Sequence, residues 1–203
     1  MLKLSRLLCI ITLLSIFMLL NGCATVGRSF HFQNIPQLKI GEFNIEDCQE
    51  VFGKPHKVAK VINANGQYDV KQYLHASANI GTATARVLVL EFLDGKLNAY
   101  NFLSSFDEDR TLFNSENMPQ IIQGKSTKND VLQIMGKPNG MAMCPSILDD
   151  YKNRCGSGKV VEIWIWSSQR KIVTMARHSN QGSKTAYISF DTNGVVLAIE
   201  SAE

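Results

Sequence analysis

The sequence predicts an α+β protein made of two tandem repeats, each with short helices followed by an antiparallel β-meander. The first observation is an internal match: with an offset of 83 residues (124 − 41), residues 41–55 align with residues 124–138. The second is that Asx-Gly pairs, which are typical of tight hairpin turns, separate strand-like segments in both halves. The composition, 45% hydrophobic and 19% charged, is that of a globular chain.

Each of the two matching segments carries the signals of a short helix. Asn44 and Thr127 can cap the helix start, and Asp47 and Asp130, three residues later, can complete a capping box. Both segments end in Gly-Lys-Pro, which stops a helix. Apolar residues recur at helical spacing in between, so each helix should bury one face: Cys48, Val51 and Phe52 in the first, and Val131, Ile134 and Met135 in the second.

Strand-like segments follow both predicted helices. Hairpin turns are predicted at Asn65-Gly66, Asp94-Gly95 and Asn193-Gly194. The clearest predicted strands are residues 86–92, 97–102, 160–166, 185–190 and 195–199. The repeats are therefore assigned to residues 38–103 and 120–203, with a polar linker over residues 104–119.

The first residues have the pattern of an export signal. Lys3 and Arg6 precede an apolar run of 14 residues (20 − 7 + 1), which is shorter than the about 20 residues that a membrane-spanning helix needs. The sequence Leu20-Asn21-Gly22-Cys23 then resembles the lipobox of bacterial lipoproteins. This resemblance implies a signal peptide over residues 1–22 and lipidation of Cys23, which becomes the mature N-terminus. A conventional cleaved signal and an uncleaved anchor remain alternatives.

The lipobox resemblance also implies where the protein is located. Several acyl chains on Cys23 would hold it durably on a membrane. The residue after the cysteine is Ala24 and not aspartate, which in Gram-negative lipoproteins is compatible with transport to the outer membrane. The implied location is therefore the outer membrane, facing the periplasm. Residues 23–37 show no sustained apolar period and are predicted to form a lipidated tether.

The repeat pattern resembles a known domain. A glycine, a helix-start hydroxyl, a short apolar helix, Gly-x-Pro and a meander ending in Asx-Gly together resemble the SmpA/OmlA domain. That domain occurs in the small lipoprotein of the outer-membrane β-barrel assembly machinery and is structurally similar to each half of β-lactamase inhibitor protein. The first repeat departs from the pattern at Phe43 and Cys48. The second repeat carries it at Gly124, Ser126, Val131, Gly136 and Pro138.

The five cysteines fall into different roles. Cys9 lies in the predicted signal peptide, and Cys48 takes the place of Val131, which indicates a buried apolar position. Cys144 and Cys155 remain, and in an exported, oxidising setting we predict a disulfide between them. Two reduced thiols are the alternative.

Composition and motifs point away from several classes of function. The formal charge of +3, from 21 basic and 18 acidic residues, is too balanced for a nucleic-acid-binding surface. Gly124-Lys125-Ser126 imitates the end of a P-loop, but Pro119 stands where that loop needs a glycine. No catalytic residue, metal site or cofactor is therefore predicted; the histidines are scattered, at His31, His56, His75 and His178.

Strand alternation suggests a partner-binding surface. If Leu88, Leu90, Phe92, Ile188 and Phe190 face the core, Val87, Val89 and Tyr187 face the other way. If Ile163 and Ile165 also point inward, Trp164 and Trp166 join that outer face, and aromatic side chains concentrate binding energy. The reversed register on that strand would place both tryptophans in the core.

These observations predict a non-catalytic, membrane-anchored outer-membrane lipoprotein that binds another envelope protein. The SmpA/OmlA resemblance implies partners among the β-barrel assembly components and a role in outer-membrane protein assembly or envelope integrity. The alternative is an inhibitor or ligand-binding periplasmic module similar to β-lactamase inhibitor protein. An enzyme would require a pocket where titratable groups converge, and no motif indicates one.

Overall fold

A single antiparallel sheet organises the structure, a computed structural model that describes residues 24–79, 82–168, 172–173 and 184–202. The described chain is mostly sheet with a few short helices, which confirms the α+β class. The helices are α1 Ile45–Phe52, α2 Lys128–Met135 and α3 Asp149–Lys152, with 3-10 helices at Phe32–Gln37, Ser115–Gln120 and Cys155–Ser157. The predicted signal peptide over residues 1–22, the predicted lipidation site Cys23 and His178 lie outside the described residues.

Within the described residues, this sheet has ten strands. Their bounds are β1 Ala24–Gly27, β2 Lys57–Asn63, β3 Gly66–Asn79, β4 Thr82–Leu93, β5 Lys96–Ser104, β6 Gly140–Met143, β7 Glu162–Ser167, β8 Ile172–Val173, β9 Thr185–Phe190 and β10 Val196–Ala202. They lie in the order β1-β3-β4-β5-β6-β7-β9-β10, with β2 also paired with β3 and β8 with β4. The predicted strands and hairpins are confirmed with small shifts at their ends. The short strand β6 was not predicted, and it joins the two halves into one sheet by pairing with β5 and β7.

Both longer helices begin with the predicted capping box. The Asn44 side chain accepts a hydrogen bond from the backbone N–H of Asp47 at 2.8 Å, and the Asp47 carboxylate accepts one from the N–H of Asn44 at 2.9 Å. Thr127 and Asp130 make the same reciprocal pair at the start of α2. Each box satisfies backbone donors that the first turn of a helix leaves free.

The chain also enters both helices in the same way. The backbone N–H of Gly41 donates to the carbonyl of Leu97 in β5, and that of Gly124 donates to the carbonyl of Val196 in β10, both at 2.8 Å. Each helix is thereby tied to the last strand of its own half. The helices end at glycines in the left-handed region, Gly53 with φ 76° and Gly136 with φ 74°. The division of the chain into repeats over 38–103 and 120–203 stays a prediction.

The two helices cover one face of the sheet with two hydrophobic clusters. The first packs α1 on Leu88, Leu90 and Phe92, and the second packs α2 on Ile188 and Phe190, as the sequence predicted. All five of these strand side chains are fully buried. The core columns read from strand alternation are therefore confirmed.

The prediction that Trp164 and Trp166 face outward is wrong. Both are buried, at 4% and 1% exposure, in the cluster beneath α2. Their neighbours Ile163 and Ile165 point to the opposite face, where a third cluster packs them against Tyr151 of α3. Both sides of β7 are covered, so the alternation of this strand gave no sign of which face meets the helix.

The third cluster lies beneath the segment 144–155, which we call the disulfide excursion. Cys144 and Cys155 form the predicted disulfide, with an S–S distance of 2.14 Å. The Tyr151 hydroxyl, buried with its ring, donates a hydrogen bond to the carbonyl of Tyr100 at 2.9 Å. The disulfide therefore closes a cover over one part of the sheet.

The predicted tether over residues 23–37 is folded onto the domain from residue 24 onward. Its strand β1 pairs with residues 75–78 of β3. Phe30 and Ile35 are buried in the first cluster, and the Phe30 ring lies 5.8 Å from that of Tyr73. Isolated apolar residues in an irregular segment have no periodicity, so this packing cannot be recognised from the residue pattern.

Replacing Cys48 with valine should protect the fold selectively at alkaline pH. Burial raises the pKa of the Cys48 thiol to about 12, above the value of about 8.5 of a free cysteine. The stability that the neutral thiol contributes is thus fully present below pH ~8.5 and is lost as the pH rises through about 12.

Valine fills the matching position in α2, so Cys48→Val should change the free energy of unfolding at pH 7 by less than about 1.5 kcal/mol. Between pH ~8.5 and ~10, the variant should lose less stability than the parent chain in urea titrations. Parallel losses in this range would show that Cys48 does not titrate as its burial implies.

Candidate protein-binding surface

The sheet face opposite α1 and α2 leaves aliphatic side chains partly exposed across β3, β4 and β5. Leu74, Val87 and Leu103 oppose one another across these strands, and Gln72 and Val89 form the next row. Their neighbours along β4 point into the helix-side core, so alternation turns Val87 and Val89 to this face. We call this surface the open sheet face; its members, all half-buried, are Val70, Gln72, Leu74, Val87, Val89 and Leu103.

A buried carboxylate separates the open sheet face from the disulfide excursion. Glu91 of β4 is fully buried, and one of its oxygens accepts from the Asn98 amide at 2.7 Å. The other accepts from the Ser146 hydroxyl at 3.0 Å and from the backbone N–H groups of Ile147 and Leu148 at 2.9 and 3.1 Å. Four donors satisfy this charge, so Glu91 clamps the start of the excursion to the sheet.

The excursion carries a polar cluster over the far side of the same face. The Asp150 carboxylate accepts from the Asn101 amide at 2.9 Å and from the Tyr187 hydroxyl at 3.3 Å. The Arg154 guanidinium lies 3.4 Å from the centre of the Tyr187 ring and donates to Glu200 at 2.9 Å. Burial and the nearby Asp150 carboxylate raise the pKa of the Tyr187 hydroxyl, so it stays a neutral donor at physiological pH.

This arrangement suits recognition of a surface. The open sheet face has no ionisable side chain among its members. In the neighbouring cluster, Arg154 is paired with Glu200, and the Asp150 carboxylate accepts hydrogen bonds from Asn101 and Tyr187. Contact with an apolar partner surface would therefore release water from these aliphatic side chains without burying an unpaired charge among them. The strands hold these side chains in a fixed array, which lowers the entropy cost of binding.

The structure brings together only some of the residues predicted for partner binding. Val87 and Val89 lie side by side on the open sheet face, as alternation indicated. Tyr187 lies on the same face but on β9, four strands from β4, or about 19 Å at about 4.8 Å per strand, and beneath Arg154. Trp164 and Trp166 are core residues and take no part in it.

Sequence reasoning missed Glu91, Leu74 and Leu103. The signal for Glu91 was available, because a lone carboxylate in the apolar run of β4 must find buried partners or remain exposed. Leu74 and Leu103 could be placed only once the register of β3 and β5 against β4 was known. That register depends on long-range pairing.

A second accessible surface lies along the edge strand β2. Val58, Val61 and Ile62 are 69%, 41% and 78% exposed there. Beside them, a groove of about 500 Å³ runs between β2 and the start of α1, where Ile45 and Glu46 line it. Edge strands present unpaired backbone groups to which a strand of another chain can pair. The charged side chains of Lys57 and Lys60 on β2 hinder such pairing.

The described residues lack two other features, a metal-binding cluster and a membrane-spanning helix. No cluster of three or more His, Cys, Asp or Glu side chains is placed to hold a metal ion in this part of the chain. Among the same residues, no helix has the length and apolar character needed to cross a membrane.

A solved structure resembles this chain at low sequence identity. No protein-family model matches the chain, and no curated protein matches it. The chain is similar to a candidate beta-lactamase inhibitor protein from Streptococcus mutans, known from its crystal structure, with 17% identity and a TM-score of 0.48. The match covers 86% of this chain and 99% of that one. At this level of similarity it gives no information on what the chain binds.

Proposed function

We propose that this protein is a lipid-anchored envelope protein without catalytic activity that binds another protein through the open sheet face. The observation that carries the proposal is the row of half-buried aliphatic side chains on β3, β4 and β5, on the face away from both helices. The partner is a protein surface that is apolar at its centre and offers a polar group opposite Gln72. Covering aliphatic surface of this kind with a partner lowers the free energy of the complex.

The anchoring part of the proposal rests on the lipobox-like sequence that ends at Cys23. Cleavage before Cys23 and acylation of its thiol and amino group would give the chain a durable attachment to the membrane. Intact mass spectrometry of the membrane-extracted protein tests this. The expected mass corresponds to residues 23–203 plus acyl chains, and an unacylated or uncleaved chain would contradict it.

The finer parts of the proposal rest on the motif resemblance alone. They are a tandem SmpA/OmlA-like architecture, an outer-membrane location and a partner in β-barrel assembly. An inhibitor would use the same open sheet face against a soluble enzyme and would not need the anchor. Loss of partner binding in a Cys23→Ala chain would therefore favour the anchored role.

Replacing Val89 with lysine should weaken partner binding at least about 10-fold. The substitution places a charge at the centre of the open sheet face, where a bound partner would have to desolvate it. Affinity capture of the full chain from detergent-solubilised envelopes, with quantitative mass spectrometry, should show one co-purifying protein reduced at least about 10-fold, which corresponds to about 1.4 kcal/mol.

The matched control is Leu132→Lys. Leu132 lies on α2, on the opposite side of the sheet, and is 37% exposed. This variant should retain the partner. Equal recovery of the same proteins with both variants would show that the open sheet face is not the binding surface.

A further inference from the structure

At one end of the sheet, the paired strands β3 and β4 extend past the end of β5. Strand β5 ends at Ser104, opposite Arg86, whereas β3 and β4 continue to the pair Asn79 and Thr82. The four residues beyond Arg86, residues 82–85, extend this end by about 13 Å, at about 3.3 Å per residue. Strand β1 borders it along residues 75–78, and the two-residue strand β8 pairs with Thr82 and Ala83 on the other edge. We call residues 24–27, 76–79 and 82–85 the projecting ribbon.

The projecting ribbon is free of ionisable side chains. Residues 76–85 contain no Asp, Glu, Lys or Arg, and neither does β1. Small residues oppose one another along the ribbon, as in the pairs Ala76 with Ala85 and Ala78 with Ala83. Val26 of β1 adds an apolar side chain that is 54% exposed. The polar residues of the ribbon, Thr25, Ser77, Asn79, Thr82 and Thr84, are uncharged, so its transfer from water into the hydrated headgroup layer avoids the large cost of desolvating a charge.

The opposite end of the same strands is strongly polar. The turn after β4 holds Asp94, and Lys96 begins β5 with its ammonium group donating to the Glu42 carbonyl at 3.1 Å. Lys39 and Glu42 form an exposed ion pair at 3.1 Å. This end lies about 40 Å from Thr82, the length of the twelve residues of β4. The two ends of the sheet therefore differ sharply in polarity.

The position of β1 brings the uncharged end next to the proposed lipid anchor. Ala24, the first residue of β1, pairs with Ala78 in the ribbon. Cys23 is the residue immediately before it, so an acyl group there would leave no slack chain between the membrane and the fold. Anchoring at this point brings the projecting ribbon, with β8 paired beside it, toward the bilayer.

We infer that the projecting ribbon is the surface by which the anchored protein contacts the lipid bilayer, entering its headgroup layer. The inference rests on the proposed acylation of Cys23. A headgroup layer is about 5–8 Å thick, half the difference between the about 40–45 Å total and the about 30 Å hydrocarbon core. A ribbon of about 13 Å spans it, so the exposed carboxylate of Glu108 beside Arg86 stays in water.

Lipid quenching of a fluorescent label measures this contact. Among the described cysteines, Cys48 is buried and Cys144 and Cys155 are joined, so a cysteine introduced at an exposed site is a specific labelling position. Ala78→Cys and Thr82→Cys place a small fluorophore on either strand of the ribbon, and Lys96→Cys places it at the far end. The full chain is extracted from membranes and its acylated form is identified by intact mass. It is then reconstituted in vesicles of phosphatidylethanolamine and phosphatidylglycerol, with and without a headgroup-region spin-labelled lipid.

The labels at 78 and 82 should lose most of their fluorescence in spin-labelled vesicles, and the label at 96 should lose none. Having two positions on separate strands keeps the test valid if one substitution impairs folding. An acylated chain whose ribbon labels are not quenched, or are quenched no more than the label at 96, would overturn the inference and leave the anchor in place. A chain that is not acylated at Cys23 would overturn both.

Discussion

Replacing Arg86 with leucine should lower the free energy of unfolding by about 3–5 kcal/mol. The guanidinium is almost fully buried and makes a two-point contact with the Asp109 carboxylate, in which Nη2 lies 2.9 Å from Oδ1. The rings of Phe32 and Phe106 lie on it, with centroids 4.0 and 4.7 Å away. Glu108 adds a more exposed contact at 3.0 Å. Without Arg86, Asp109 is left as a buried charge without its cation.

The double variant Arg86→Leu with Asp109→Leu should recover a large part of this loss, because it removes both buried charges together. The matched control is Arg110→Leu, whose partner Asp107 is 69% exposed and whose loss should cost at most about 1 kcal/mol. Urea titration of the four chains measures the differences. A single variant no less stable than the Arg110→Leu chain would contradict a structural role for the buried pair.

Replacing Glu91 with leucine should release the disulfide excursion and cost about 3 kcal/mol or more. Leucine is similar in size but accepts no hydrogen bond, so the Ser146 hydroxyl and the Ile147 N–H lose their acceptor inside the protein. The Leu148 N–H keeps only its longer bond to the Ser146 hydroxyl oxygen, at 3.3 Å. Each unsatisfied buried donor costs about 1–3 kcal/mol. Because the disulfide still closes the segment, the excursion should loosen locally before the whole domain unfolds.

Limited trypsin digestion separates local release from global destabilisation. Lys152 and Arg154 lie in the excursion, and both should be cut much faster in Glu91→Leu than in the parent chain under native conditions. Ser146→Ala is the control, because it removes one donor and leaves the carboxylate with its backbone partners. Unchanged cleavage at both sites in Glu91→Leu would show that the clamp does not hold the excursion.

Local signals explain why much of the fold could be predicted from the sequence. Each capping box lies within the first turn of its own helix, so the three-residue spacing alone identifies it: Asn44 with Asp47 in α1, and Thr127 with Asp130 in α2. The Asp94-Gly95 pair likewise determines the hairpin of β4 and β5 without reference to the rest of the chain. Each of these features lies within a few residues of sequence.

The errors involve contacts between distant segments. The outward placement of Trp164 and Trp166 failed because the cover over the other face of β7 comes from the disulfide excursion. Alternation shows that two faces exist but does not say which one meets a helix. The tether predicted over residues 23–37 missed that β1 pairs with β3 and that Phe30 packs on Tyr73 of β3 and Phe52 of α1, because these partners are distant in sequence. In the candidate site, only Val87 and Val89 could be named in advance on the open sheet face.

The measurement that tests the central claim most directly is photocrosslinking in the intact membrane. A photoreactive amino acid is placed at Val89 on the open sheet face and, in a matched chain, at Leu132 on α2. The account predicts a covalent adduct with one specific envelope protein at position 89, absent at 132 and absent without irradiation. The same adducts from both positions, or none at position 89, would contradict the proposal that this protein binds its partner through the open sheet face.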